Sequence, residues 1–307
     1  MFIYTHTDGR FGNEVIIYWA GVILNNILNN THSISLNIEN ISNRNFITIN
    51  DYQWTMICHK YLLNTNLTND YINELKTAYS KINQNVDDIP DLNTLKNNNI
   101  RLTEYYQRSE IYKTNIIRNI ILNHMNESNN LNNIITKTNL SINNIMNFQT
   151  NDLPSNNELV VHFRLHNDFF SGYEVLNPKF YIDSIYGIYL LFKNIDTITF
   201  VVDKLVNNDD IYINHVKKNC PQSVNIKMHQ KSLLEDFNYI KNAKYIISSN
   251  STLSWTASYL SNAIIIVLAD NKLSPHQKRQ AIQEVDESNR CIIKDVSYFT
   301  RKDVDLL

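Results

Sequence analysis

A chain of 307 residues is too long for one ordinary core and suits two domains of about 150 residues each. Its 28 basic residues against 30 acidic ones leave a formal net charge of -2, which provides no basic stripe for nucleic acid or for an anionic membrane surface. Neutral partners, or small anions caught locally, fit that balance better.

Asparagine is the commonest residue, about one in six, while Gly and Pro number only 5 each. A bias of this kind, typical of an AT-rich genome, produces Asn-x-Ser/Thr triplets by chance. Asn66-Leu67-Thr68 and Asn139-Leu140-Ser141 therefore do not argue for glycosylation. The cysteines Cys58, Cys220 and Cys291 are odd in number and far apart, so they form neither a disulfide framework nor a zinc-ligand spacing. A reducing compartment follows. Met1 to Asp8 is strand-like and already polar by Thr5, and no later apolar run approaches a membrane span. The expectation is a soluble, cytoplasmic protein of microbial or viral origin, with no signal peptide and no transmembrane segment.

In chain order, the pattern predicts a short strand at Phe2 to Tyr4, a glycine-containing loop, a helix, and strands near Ser33 to Leu36 and Phe46 to Ile49. From about Gln53 to Phe148 the apolar spacing turns helical, as in Ile111, Ile116, Ile117, Ile120 and Ile121. Asn97 to Asn99 and Asn126 to Asn133 read as turns or exposed loops. A proline-broken polar segment at Asn151 to Asn157 marks a boundary, giving domains 1–154 and 155–307. Beyond it the alternation is regular. Strands are predicted at Leu159 to Phe163, Thr197 to Val202, Val224 to Ile226, Tyr245 to Ser248 and Ile264 to Leu268. Helices are predicted at Pro178 to Phe192, Asp209 to Asn219, Ser232 to Asn242 and Thr252 to Ser261. Repeated βα units imply an α/β fold with a parallel, doubly wound sheet.

Three strand-end segments carry chemistry. In Val160-Val161-His162-Phe163-Arg164-Leu165-His166-Asn167-Asp168-Phe169 an apolar strand runs straight into charge, at the end where open α/β sheets bind ligands. Arg164 has a planar, permanently charged fork that matches two phosphate oxygens. It either meets a ligand's phosphate or caps the strand with a local carboxylate such as Asp168. His162 shares its face of the strand and either touches a nucleotide or serves structure. In Ser248-Ser249-Asn250-Ser251-Thr252 a buried-type strand passes through hydroxyls into a helix, whose N-terminal N–H groups and partial positive charge suit an anion. Ser249, Ser251 and Thr252 could donate to the same phosphate, or could simply cap the helix. In Gly9-Arg10-Phe11-Gly12-Asn13-Glu14 two glycines permit close backbone approach, and Asn13 offers a donor and an acceptor. The segment is neither a dinucleotide fingerprint nor a P-loop, and a plain strand-to-helix turn is the alternative.

Taken together, the three segments resemble the GDP-fucose-dependent fucosyltransferase superfamily, closest to the bacterial-type α1,2-fucosyltransferases, with features of protein O-fucosyltransferases. GRFGNE is similar to the GRFGNQ or GxLGNQ opening, HFRLHNDF to the H-x-R-x-G-x-D or H-x-R-R-G-D segment, and SSNSTLSWTASYL to NSSFSWWAAWL. Their order is the family's order, and they span most of the chain. The resemblance implies two facing Rossmann-like lobes in the GT-B arrangement, with a helix-rich, acceptor-side first lobe. It also implies metal-free transfer with inversion from GDP-β-L-fucose to a glycan hydroxyl, with α1,2 linkage to galactose as the nearest match. No cofactor beyond the donor substrate is implied.

On this resemblance Arg164 clamps the β-phosphate, and Asn13 and Gly12 approach donor or acceptor. His162, Asp168, Ser249, Asn250, Ser251 and Thr252 line the donor side. Asp203, where the family has an FSDD-like strand end, and Asp236, ahead of the third segment, could hold guanine or sugar or could lie on the solvated surface. His6, Asp8 and Glu14 flank the glycine loop as possible bases, and none is assigned. The chain departs from the family pattern at Leu165, His166, Lys204, Glu14 and Thr256, which bears on the donor sugar and the linkage. The same fold using another nucleotide sugar, or a non-catalytic glycan- or nucleotide-binding relative, are the alternatives. Asp303-Val304-Asp305, a DxD string at the C-terminus, reads as a solvated tail rather than a magnesium site.

Overall fold

The structure is a computed structural model that describes residues 1–5, 11–35, 46–65, 67–70, 72–73, 89–103, 109–126, 148, 150–165, 175–203, 205, 209–269, 290–294, 296–299 and 307. His6, Asp8, Gly9, Arg10, His166, Asp168, Lys204 and the Asp303–Asp305 string lie outside the described residues. The chain divides into two compact units, Met1–Asn147 and Phe148–Leu307. That division lies ahead of the Pro154 break at which composition places it.

In the first unit, β1 (Phe2–Thr5), β2 (Ser33–Ser35), β3 (Phe46–Ile49) and β4 (Asn99–Leu102) form a parallel sheet in the order β2-β1-β4-β3. β4 is a correction to the sequence expectation, which had loop and helix here. Asn97 and Asn98 close the short helix at Leu92–Lys96, but Asn99 opens a strand in the middle of the sheet. Ile100 and Leu102 are fully buried there, so sheet packing overrides the poor strand propensity of an asparagine run.

Helix α1 (Phe11–Ile27) is apolar nearly all round and correspondingly buried on almost every side. Trp54, on α2 (Asp51–Cys58), donates its indole N–H to the Ala20 carbonyl at 3.2 Å, and the Tyr112 hydroxyl donates to the Ile16 carbonyl at 3.2 Å. α2 begins with a reciprocal capping box between Asn50 and Gln53, and α3 (Leu92–Lys96), α4 (Ser109–Tyr112) and α5 (Asn115–Asn126) follow it in this unit. Gly21 allows α1 to lie close on the sheet: a Cβ there would stand 3.2 Å from methyl carbons of both Ile34 and Thr5.

The second unit holds a six-stranded sheet made of β5 (Glu158–Phe163), β7 (Thr197–Val202), β8 (Asn225–His229), β9 (Tyr245–Ile247), β10 (Ile265–Ala269) and β11 (Cys291–Lys294). All pairings are parallel, in the order β11-β10-β9-β5-β7-β8. In chain order this is 6-5-4-1-2-3, the doubly wound Rossmann order read from the other edge. A small antiparallel pair, β6 (Val175–Leu176) with β12 (Tyr298–Phe299), stands apart from it.

β5 and β7 are buried at every residue, as befits central parallel strands covered on both faces. Leu159, Val161 and Phe163 share a core with Phe180, Tyr181, Ile185 and Ile188 of α6 (Pro178–Leu191) and Tyr212, Ile213 and Val216 of α7 (Asp209–Lys218). The alternate residues Glu158 and His162 instead reach Tyr239 of α8 (Leu233–Lys241) and the loop before α9 (Thr252–Leu260). The two periodicities of β5 thus sort its side chains between two helical layers.

Two glycines give opposite expectations. Gly21→Leu should overpack the α1–sheet contact and cost about 1–3 kcal/mol. Gly187→Ala, on α6 where an added Cβ meets nothing within 4 Å, should raise stability by up to about 1 kcal/mol. Urea unfolding of both variants against the parent checks the pair.

Candidate anion site at the switch point of the second sheet

The chain leaves β5 toward β7 and β8 on one side, and later leaves β9 toward β10 and β11 on the other. β5 and β9 are neighbours, in register from Leu159↔Tyr245 to Val161↔Ile247. Their carboxyl ends therefore flank the place where the winding reverses, where open α/β sheets leave a crevice for a ligand. Two of the three segments singled out by sequence meet here.

His162 is 6% exposed, and its Nδ1 lies 2.8 Å from Ser249 Oγ, bridging the ends of β5 and β9. Burial, assisted by the Arg164 charge, pushes its pKa down to about 3. At neutral pH the ring is uncharged. Arg164 follows the strand directly and is half-buried, whereas Leu165 turns back into the hydrophobic core.

After β9 the ladder runs one residue further, Ser248 N–H donating to the Val267 carbonyl at 2.9 Å. Ser248, Ser249 and Ser251 are all buried. Ser248 Oγ donates to Ser254 Oγ at 2.8 Å, and Ser254 Oγ donates to the Ser251 carbonyl at 3.1 Å. Ser251 is the N-cap of α9, its hydroxyl oxygen accepting from Leu253 N–H at 3.3 Å. The capping alternative thus holds for that oxygen. Asn250 and Thr252 are half-buried at the helix mouth. The bend, the hydroxyls and the helix start follow from the sequence: Tyr245–Ile247 is a short apolar run, and the Ser/Asn/Thr string after it favours capping over continued strand.

Asp203 follows β7 and is exposed, with its carbonyl accepting from Gln230 Nε2 at 3.1 Å. Asp236 belongs to a different, buried polar cluster. It is 7% exposed, and its Oδ1 lies 3.2 Å from His229 Nε2. Burial raises its pKa, and His229 opposes the rise. The other nitrogen of His229 stands 3.6 Å from Asp152, which pairs with Lys231 at 2.8 Å, and the ring stacks on Tyr239 at 4.1 Å. Sequence reasoning missed this cluster because it ended the strand at Ile226. β8 runs to His229, and the alternation of Val224, Ile226 and Met228 with polar residues is the signal that could have extended it.

In the first unit Gly12 and Asn13 lie within the first turn of α1, Gly12 buried and Asn13 half-buried. Glu14, one of the possible bases, is 1% exposed on the same turn. Among the described residues no cluster of three or more His, Cys, Asp or Glu could hold a metal ion, and no helix is long and apolar enough to cross a membrane. All three cysteines are free thiols. Compared with protein-family models and with curated proteins, the chain matches none.

The His162 environment makes a pH prediction. Unfolded, this histidine has its ordinary value of 6.5; in the fold, burial pushes it down to about 3. Between those values the unfolded chain binds the extra proton, so the contribution is whole above pH 6.5 and is lost as pH falls toward 3. At full effect the slope is roughly 1.4 kcal/mol per pH unit. His162→Gln should remove that component, so the stability gap between variant and parent should narrow on acidification, as measured by urea unfolding from pH 7 to pH 4.

Proposed function

We propose that this protein is an inverting, metal-independent glycosyltransferase that moves fucose from GDP-β-L-fucose to a glycan hydroxyl, with galactose in α1,2 linkage as the acceptor class. The observation that carries this proposal is the His162–Ser249 bridge at the switch point. It brings the Arg164 segment and the mouth of α9 to the same end of two adjacent strands. The motif order described above, GRFGNE then HFRLHNDF then SSNSTLSW, adds the donor class.

Breaking the sugar–phosphate bond builds negative charge on the departing GDP. Without a metal, that charge must be met by fixed cations and dipoles already in place. Arg164 supplies a permanent charge with two-pronged donation, and the start of α9 supplies backbone N–H groups and the positive end of the helix dipole. Thr252 and Asn250 stand at that mouth for further donation. The GT-B arrangement, with Gly12 and Asn13 serving donor or acceptor from the first unit, and action in the cytoplasm are part of the same proposal.

Incubation with labelled GDP-fucose and a β-galactoside should give transfer that falls about 10²–10³-fold in Arg164→Lys, because lysine keeps the charge but loses the fork. Absence of both transfer and GDP binding removes the proposal.

One observation favours a second donor. Leu165 stands where the α1,2 enzymes carry a second arginine, and it is buried in the core, so one guanidinium rather than two follows the strand. Thermal shift against GDP, UDP and dTDP separates the donors, since a ligand at a hundred times its dissociation constant stabilises by about 2.7 kcal/mol. Preference for GDP supports fucose transfer. Preference for UDP or dTDP moves the assignment to another nucleotide sugar.

A further inference from the structure

Parallel strands covered on both faces read as continuous apolar runs, and the four-stranded sheet of the first unit does so on one face only. Toward Gly21 of α1 it presents Ile3 and Ile34, with Ile100 and Leu102 on the same face by register. The opposite face is polar and aromatic. Ser35, Tyr4, Arg101 and Thr48 stand side by side across β2, β1, β4 and β3, and two residues nearer the amino ends lie Phe2, Asn99 and Phe46 on the same face. The Tyr4 ring is 5.5 Å from Phe2 and 5.1 Å, edge-on, from Phe46. Arg101 is half-buried, and its Nε is a buried donor with no hydrogen-bond partner among the described residues. None of the four strands contains an acidic residue. A guanidinium taken partly out of water without a partner is costly, and sheet packing gives no reason for it.

We propose that this face of the first sheet is a carbohydrate subsite, in which Arg101 meets an oxyanion carried by a sugar, a carboxylate or a phosphate. Arg101 is the penultimate residue of β4, near the carboxyl ends of the strands, where open α/β sheets take their ligands. Its fork matches two oxygens of either anion. Thr48, exposed beside it, adds a hydroxyl, and the half-buried Phe46 offers an apolar surface to the C–H face of a pyranose ring. That the sugar belongs to an acceptor rests on the glycosyltransferase reading; the demand for negative charge rests on Arg101 itself.

Titration calorimetry on the full chain, with no nucleotide present, tests this by comparing galactose 6-phosphate with galactose and methyl β-galacturonide with methyl β-galactoside. The parent should bind at least one charged sugar about tenfold more tightly than its neutral counterpart, the scale of one charge-assisted hydrogen bond. The pair that shows the gain names the oxyanion. Arg101→Met should abolish the gain, and Arg101→Lys should recover part of it, because lysine keeps the charge and loses the fork. Phe46→Ala should weaken charged and neutral sugars alike. Without ligand, Arg101→Met should melt no lower than the parent, since methionine keeps the apolar stem and removes an unpartnered charge. Equal binding of charged and neutral sugars, or binding of none, overturns the proposal. So does a charge preference that survives Arg101→Met, or a loss of folding in that variant, which would reveal an internal partner for the guanidinium. If Arg101-dependent binding holds while GDP-fucose is neither bound nor transferred, the fucosyltransferase assignment fails and this subsite stands. If transfer to a β-galactoside occurs and no charge preference is found, the reverse holds.

Discussion

The second unit depends on a single topological constraint: six parallel strands wound outward in both directions from β5 and β9. Each crossover must climb over one face of the sheet, and those leaving β5 and β9 go opposite ways. The carboxyl ends of these two strands therefore flank the point where the winding reverses. The chain closes the ends with a side-chain bond, His162 to Ser249, and with a serine network rooted in the first turn of α9. Buried polar groups are costly unless partnered. This network partners nearly all of its own members beside the half-buried Arg164 and the mouth of α9.

The same sheet offers an instructive contrast two strands away. At the end of β8, His229 is held between Asp236 and Asp152 and stacked on Tyr239. Here carboxylates meet the ring from both sides, and Lys231 balances Asp152. The cluster ties the segment leading into β5 and the first turn of α8 to an edge strand, using acid–base pairs within the protein itself. Among the described residues His162 has a cationic neighbour, Arg164, and bonds to a serine rather than a carboxylate. That difference in neighbours, more than the histidine itself, separates a site disposed toward an anion from a structural cluster.

The first unit solves a different problem. α1 is covered on nearly all sides, which requires its few polar groups to be placed deliberately. The Ala20 and Ile16 carbonyls each accept an additional side-chain donor, and Gly21 lets the helix settle onto Thr5 and Ile34. Glu14 is carried into the interior on the first turn of this helix, in the segment read from sequence as opening the first helix.

Hydrophobic patterning by itself determined the βα rhythm of the second unit, because buried parallel strands are continuous apolar runs and their helices repeat at three and four residues. It also located the strand ends at Arg164 and Ser248, where apolar residues give way abruptly to polar ones. It did not find β4, whose Asn-Ile-Arg-Leu sequence becomes a central strand only through neighbours on both sides. Nor did it find the full length of β8, whose last residues look polar until His229 is seen buried against α8. Tertiary structure alone decided which hydroxyl does what: Ser251 caps α9, Ser249 holds His162, and Thr252 stays at the mouth. Local sequence makes the three nearly equivalent. Their roles diverge because hydrogen-bond partners are fixed by strand order and register, which bring residues 87 positions apart into contact and which a linear pattern does not encode.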